Sequence, residues 1–300
     1  MSLLHIIILA VVQGLAELLP VSSSAHVIVV AKLLGLPPSS KPEMSLLLVM
    51  LHTGTMFAVI LYFWPAWKKS LFASPAVFKQ QAARLLIATM LTAAVAWPLK
   101  LGIEKGLEKS GYLVKDASGQ PPKKAEIELL FDNLGLVAGA LAAAGVLILI
   151  AGLVERAKAS NRTMGTLGIR EAAWIGAVQG LCIPFRGFSR SGATISTGML
   201  LGVLKARVEE FSFALAVIIT PAAIWHMVSR SVQDHREAWN FDVTWRLFGP
   251  SLLGMVCAFL AGLLALRWLS RWLEGGRWYL FGIYCLVAAS AVFALHCRGY

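Results

Sequence analysis

The chain has 300 residues, of which 58% are hydrophobic and 14% charged, and its mean hydropathy is +0.72. A soluble domain runs nearer half apolar and a quarter charged, so this composition excludes an ordinary soluble protein and indicates an integral membrane protein. The formal net charge of +11 does not point to nucleic acid, because the basic residues lie in short loops between apolar runs, where they orient a membrane protein.

The first apolar run, Leu3–Leu18, has no Lys or Arg before it and contains Glu17, so a cleaved signal peptide is not expected. It breaks at Pro20-Val-Ser22-Ser23-Ser24, resumes from Ala25 to Leu34 and stops at Gly35-Leu-Pro37-Pro38. Each half is shorter than the roughly 20 residues that a spanning helix needs. Two half-length helices joined by a polar turn predict a re-entrant hairpin over 3–35, because irregular backbone at depth needs cover from protein or a wet cavity. Three full spans are predicted next, over 44–64, 82–101 and 129–153. The pattern then restarts. Glu171–Cys182 is apolar, Pro184–Ser191 interrupts it and Gly192–Leu204 resumes, giving a second re-entrant hairpin over 171–204. Further spans follow over 211–228, 247–268 and 278–296. Pro65, Pro98 and Pro250 sit near span ends, whereas Pro221 lies inside its span and predicts a kink. Cys182, Cys257, Cys285 and Cys297 show no metal-ligand spacing and read as small packing residues.

The two halves repeat the same order. Gln13-Gly14-Leu15 aligns with Gln179-Gly180-Leu181 at an offset of 166, which places Ser23 on Ser189 and Ser24 on Arg190. The expected fold is therefore an all-α polytopic membrane protein of two inverted repeats, 1–156 and 157–300. Each repeat is a re-entrant helical hairpin plus three transmembrane helices, six spans and two hairpins in all. An odd number of crossings per half inverts the second copy. The 65–84 loop carries Lys68, Lys69, Lys79 and Arg84 with no acid, and the 154–171 and 267–277 loops are also net basic. The 102–128 and 229–246 loops balance to zero. The basic loops belong in the cytoplasm, so both termini face out and the two hairpin tips meet near the midplane.

Charged groups at such depth are costly and signal function. Ser22, Ser23 and Ser24 precede one helix, and Ser189, Arg190 and Ser191 precede another. Serines there cap helices, but a helix N-terminus also binds anions. Two such ends facing one spot form a phosphate cradle. Arg190 adds a forked donor, Arg186 a second charge, and Gly187 and Gly192 allow close backbone approach. Gln13 and Glu17, one turn apart, offer oxygen ligands for a hard divalent cation, Mg or Ca. A histidine is the side chain best suited to acid–base work near neutral pH, so His26 can serve as acid or base. Ser23 is the candidate nucleophile, activated by His26 or Glu17, with direct attack by water as the alternative. His52, in Leu51-His-Thr-Gly-Thr55 inside a span, reads as packing or support rather than chemistry. His5, His226, His235 and His296 read as structural or exposed, and Trp64, Trp67, Trp239 and Trp278 as an interfacial belt. These residues define a membrane enzyme or transporter acting on an anion at the midplane.

Gln13-x-x-x-Glu17 … Pro20-Val-Ser-Ser-Ser-Ala-His26, with Gly187-Phe-Ser-Arg-Ser-Gly-Ala-Thr194, resembles the bacterial undecaprenyl-pyrophosphate phosphatases of the bacitracin-resistance type. The continuations Ile195–Gly202 and Glu210–Ala216, and Leu51-His-Thr-Gly-Thr55, resemble that family too. The resemblance implies a multi-pass inner-membrane enzyme. It would cleave undecaprenyl diphosphate to the monophosphate and inorganic phosphate with a divalent metal, recycling the carrier for peptidoglycan and conferring bacitracin resistance. It assigns Glu17, Ser23, His26 and Arg190 to catalysis and Glu17 and Gln13 to metal. Ser22, Ser189, Arg190, Ser191 and Thr194 are assigned to the phosphates, and the reading of the residues themselves adds Arg186. Its partners are the polyprenyl diphosphate and membrane lipids, with a homodimer as one candidate assembly and no nucleic acid. Three positions depart from the family pattern: Gln13 leaves Glu17 as the lone carboxylate of its pair, Arg186 stands where Pro is usual, and Ala25 where Gly is common. The alternative function is a polyprenyl-phosphate flippase using the same site. The other membrane lipid phosphatases need a Ser-Arg-x₅-His-x₃-Asp motif, and no such His or Asp follows Ser189-Arg190.

Overall fold

Serine, asparagine and proline starts cut the apolar chain into helices. The computed structural model describes residues 1–39, 41–110, 127–158, 167–234, 241–273 and 277–300. Among these residues the structure has ten α-helices and no β-strand. Helix α1 (Leu3–Glu17) is capped by Ser2, whose Oγ accepts from the His5 N–H. Helix α2 (Ser23–Leu33) is capped by Ser22, whose Oγ accepts from the Ala25 N–H. Helices α3 (Pro42–Ser70) and α4 (Pro75–Lys109) each open on a proline, where the missing N–H would have had no helical partner. Asn133 Oδ1 accepts from the Leu136 N–H at the start of α5 (Leu134–Lys158). Glu171 folds back onto the Gly168 N–H at the start of α6 (Ile169–Cys182), and Ser189 caps α7 (Arg190–Leu200). Helices α8 (Lys205–Asp234), α9 (Phe241–Leu273) and α10 (Trp278–Cys297) complete the chain.

Five segments are long and apolar enough to cross a membrane: Glu43–Ser70, Pro75–Lys109, Leu134–Ala157, Phe248–Arg267 and Trp278–Cys297. The chain is therefore a polytopic helical membrane protein. The expected span 211–228 lies on α8, which is 30 residues long but is not among these five. The helices outrun the spans expected from the apolar pattern. Pro65, Pro98 and Pro250 lie inside α3, α4 and α9, Pro250 still near the start of the apolar segment Phe248–Arg267, because a proline disrupts one local bond while the rest of a long ladder persists. The third expected span begins later than residue 129: Ile127–Leu130 form a 3₁₀ turn before the Asn133 cap. The loop residues Lys115, Asp116, Lys123, Lys124, Glu126, Arg162, His235, Arg236, Glu237, Trp239 and Glu274 lie outside the described residues. So do the side chains of Glu128, His226, Arg230, Asp242, Arg246 and Arg271.

Contacts sort the helix ends into two groups. Ile6, Met44 and Leu36 share one apolar cluster, Asp132 Oδ2 accepts from Ser39 N and Oγ at 2.8 and 2.9 Å, and His296 borders Gly135. One end thus gathers the starts of α1, α3 and α5 and the ends of α2 and α10. At the other end Trp67 Nε1 donates to Glu210 O at 3.1 Å, Lys205 lies over Trp278, and Arg156 over Tyr279. Long helices are held closely by small residues: a Cβ at Gly54 would sit 2.1 Å from Met255 O on α9, and one at Gly176 would sit 2.2 Å from Ala88 O on α4. Leu86, Met90, Trp97, Leu264 and Val287 face outward, as a lipid-facing surface requires.

Candidate active site

The turn between α1 and α2 meets the turn between α6 and α7. Ser22 occupies the left-handed region at φ 65°, the one non-glycine among the described residues with positive φ. That conformation costs free energy and is sustained only by its surroundings. Here the supports are its own Oγ, which accepts from Ala25 N, and its carbonyl, which accepts from His26 Nδ1 at 2.8 Å. Opposite it, Gly187 has φ 101°, and a Cβ there would sit 2.5 Å from Val137 O. Ser191 Oγ donates to Leu19 O at 3.3 Å, and the Gly187 N–H reaches Ser24 Oγ at 3.5 Å. The starts of α2 and α7 are thereby fixed against each other.

Glu17, at the end of α1, is the centre of the contact. Its side chain is only 11% exposed. Arg190 Nη2 donates to Oε1 at 2.6 Å, and Ser23 Oγ donates to Oε2 at 2.5 Å. Gln13 Nε2 donates to Oε2 at 2.8 Å and lies 2.7 Å from His52 Nδ1, which is itself 3.0 Å from Oε2. A buried carboxylate needs this compensation: a guanidinium, a hydroxyl and an amide replace the water it has lost. The Gln13 amide thus touches Glu17 and His52 together, and His52 Nδ1 completes the ring of polar groups around Glu17 Oε2.

A cavity of about 280 Å³ opens beside this cluster. Of the residues expected at the site, Glu17, Ser22, Ser23, Arg186, Ser189, Arg190 and Ser191 line it. Gln13, His26 and Thr194 do not. Gln13 stands behind Glu17. Thr194 Oγ1 is held at 2.8 Å from Arg190 O and 2.6 Å from Ser212 Oγ. His26 turns away, with Nε2 2.7 Å from the Tyr284 hydroxyl on α10. Arg186 stacks its guanidinium 4.5 Å from the Phe131 ring. Four polar side chains line the cavity without having been assigned to it from sequence: Ser24, His52, Gln179 and Thr220. Gln179 lines the cavity with its Oε1 buried and unpartnered. The apolar walls come from Val49, Met56, Val59, Phe213 and Val217. The signals that could have found His52 and Gln179 are a histidine interrupting an apolar span and the repeat of Gln13 at position 179.

The donor set bears on a divalent ion. Among the described residues no three His, Cys, Asp or Glu side chains cluster as a metal group. Glu17 is the one carboxylate, and its oxygens already accept from protein donors. Turned over, the Gln13 amide would set its oxygen beside Glu17 Oε2, giving two of the oxygens that a hard cation requires. These residues fit such an ion only if the remaining oxygens come from phosphate and water.

Fold and site together define a polytopic membrane protein with a polar, arginine-bearing cavity inside its helical bundle. The chain matches the family model described as "Bacitracin resistance protein BacA" over residues 6–291, and it belongs to that family. It is 52% identical over 299 residues to "Undecaprenyl-diphosphatase 2" of Acinetobacter baylyi, covering 98% of each chain. It is 33% identical over 306 residues to "Undecaprenyl-diphosphatase 2" of Burkholderia thailandensis, covering 100% of this chain and 97% of the relative. It is 32% identical over 304 residues to "Undecaprenyl-diphosphatase" of Anaeromyxobacter dehalogenans, covering 100% and 93%.

Proposed function

We infer that this chain is an undecaprenyl-diphosphatase, a phosphatase that releases inorganic phosphate from a membrane-held polyprenyl diphosphate. The observation that carries the reading is the Ser23–Glu17–Arg190 chain of 2.5 and 2.6 Å bonds at the wall of a cavity inside the bundle. The isoprenoid tail stays among apolar walls while the diphosphate meets Arg190 and the N-termini of α2 and α7, whose backbone N–H groups favour anions. Ser23 already aims its proton at Glu17. As Ser23 Oγ attacks the terminal phosphorus, Glu17 takes that proton and the bond to the bridging oxygen breaks. The lipid monophosphate leaves, and water then hydrolyses the seryl phosphate. Arg190 stabilises charge on the phosphoryl oxygens. His26 acts as a positioning residue, bracing the Ser22 turn through its carbonyl while Tyr284 holds the other ring nitrogen. A bound Mg or Ca ion would neutralise diphosphate charge, with Glu17 and Gln13 as its protein ligands. The flippase alternative finds no support in the relatives, all three named as diphosphatases.

The same reading takes the chain as two inverted repeats in the bacterial inner membrane. Helices α1 and α2 have 15 and 11 residues, or roughly 22 and 16 Å, short of the ~30 Å hydrocarbon core. A Cβ at Gly14 would meet Ala261 and one at Gly180 would meet Val95. The offset of 166 that relates Gly14 to Gly180 also relates Val95 to Ala261, so each half crosses over to the other in the same way. With the basic end in the cytoplasm, both termini face out.

The test is phosphate release from undecaprenyl diphosphate by the purified protein beside Arg190→Ala and Glu17→Gln. The wild type should turn over and both variants should lose activity. No release by the wild type with any divalent metal refutes the enzyme reading.

A further inference from the structure

A second cavity, of about 590 Å³, lies at the end of the bundle where α3 stops and α4 begins, closed on its far side by the start of α8. It is distinct from the catalytic cavity. Along α3, Lys69 lies seventeen residues beyond His52, or roughly 25 Å at about 1.5 Å per residue. Its charged lining is Lys69, Arg84, Arg207 and Glu210. Arg207 Nη1 pairs with Glu210 Oε2 at 3.5 Å, which neutralises the acid and leaves Lys69 and Arg84 as surplus positive charge. Two lining atoms, Arg84 Nε and Ser70 Oγ, are buried with no hydrogen-bond partner. Buried donors in a folded protein are almost always satisfied, so an orphaned guanidinium nitrogen beside an orphaned hydroxyl marks a place that something else completes.

We propose that this cavity binds a phosphate group, held by the Arg84 guanidinium, the Lys69 ammonium and the Ser70 hydroxyl. A guanidinium, an ammonium and a hydroxyl lining one space match the oxygens of a phosphate better than any neutral ligand. The space exceeds what inorganic phosphate alone fills, and Leu71 and Phe211 extend its walls with apolar surface. On the proposed orientation this end faces the cytoplasmic leaflet, where anionic lipids concentrate. The phosphate therefore comes either from an anionic lipid headgroup or from the free ion. None of the catalytic residues takes part, so the site stands or falls independently of the phosphatase reading.

The experiment uses the full chain carrying Arg190→Ala, so that the catalytic cavity does not add its own phosphate affinity. One arm titrates inorganic phosphate by calorimetry in neutral detergent. The other measures retention of phosphatidic acid by native mass spectrometry after reconstitution in phosphatidylcholine nanodiscs doped with it. Adding Arg84→Gln should weaken binding about tenfold, the loss of one charge-assisted bond, and Lys32→Ala, in the last turn of α2 at the other end of the bundle, should not. Binding of free phosphate that depends on Arg84 identifies the ion as the ligand. Retention of phosphatidic acid alone, also dependent on Arg84, identifies the headgroup. No binding in either arm, or binding unchanged by Arg84→Gln, overturns the proposal. Should Arg84→Gln fail to fold, Lys69→Ala, at an exposed helix end, carries the same test.

Discussion

At the scale of single residues the site turns on one carboxylate. Glu17 accepts from Ser23 and Arg190 on different oxygens, so one substitution disturbs both base and clamp. Glu17→Gln should lower kcat by about 10²–10⁴, the range for loss of a general base, with the variant still folded and extracted as wild type; a kcat within threefold of wild type would remove Glu17 from the proton path. Ser23→Ala separates the two routes to the same product. A seryl phosphate requires its hydroxyl, so phosphate release should fall to background, whereas a rate within about tenfold of wild type assigns the attack to water. His52 lines the cavity and touches Glu17 Oε2. Its removal should cost about five- to tenfold in kcat, the worth of one hydrogen bond to Glu17, with little change in KM. Gln13 and Glu17 were readable as a pair because four residues separate them on one helix. His52 was not, because 39 residues separate it from Gln13 and only the packing of α3 on its neighbours closes that distance.

At the scale of elements the two turns are braced by backbone that tolerates no side chain. Gly187 combines φ 101° with a carbonyl 2.5 Å from any added Cβ, so Gly187→Ala should strain the α6–α7 turn by about 1–3 kcal/mol. Thermal unfolding in detergent should show a lower Tm, and activity should fall because Arg190 rides on the same turn. An unchanged Tm would mean that the turn is free to relax. The helix starts were legible at the caps Ser22 and Ser189, whereas α4 begins at Pro75, inside the stretch read as the 65–84 loop. The stops were not, since α3 and α4 continue through Pro65 and Pro98 well past the apolar window.

At the scale of the whole molecule, the contacts put the start of α1 and the end of α10 at one end of the bundle. Cys297 is exposed there, close to the C-terminus. In a variant whose other three cysteines are serine, a membrane-impermeant maleimide applied to intact spheroplasts should label Cys297 without lysis. Labelling only after lysis would invert the proposed orientation.

The sequence by itself determined the solvent of this protein and the location of its chemistry. Apolar run length requires a bilayer, and the cost of burying Glu17 and Arg190 singles out the two polar turns. Order and offset within each half suggested that these turns should meet. Tertiary structure alone decided which atoms touch. It turned His26 toward Tyr284, brought His52 to Glu17, withdrew Thr194 behind Arg190 and left Arg84 Nε without a hydrogen-bond partner at the far end. Hydropathy and local spacing act within a helix, whereas these pairings depend on the rotation of one helix against another, which close packing of small residues sets across the whole bundle.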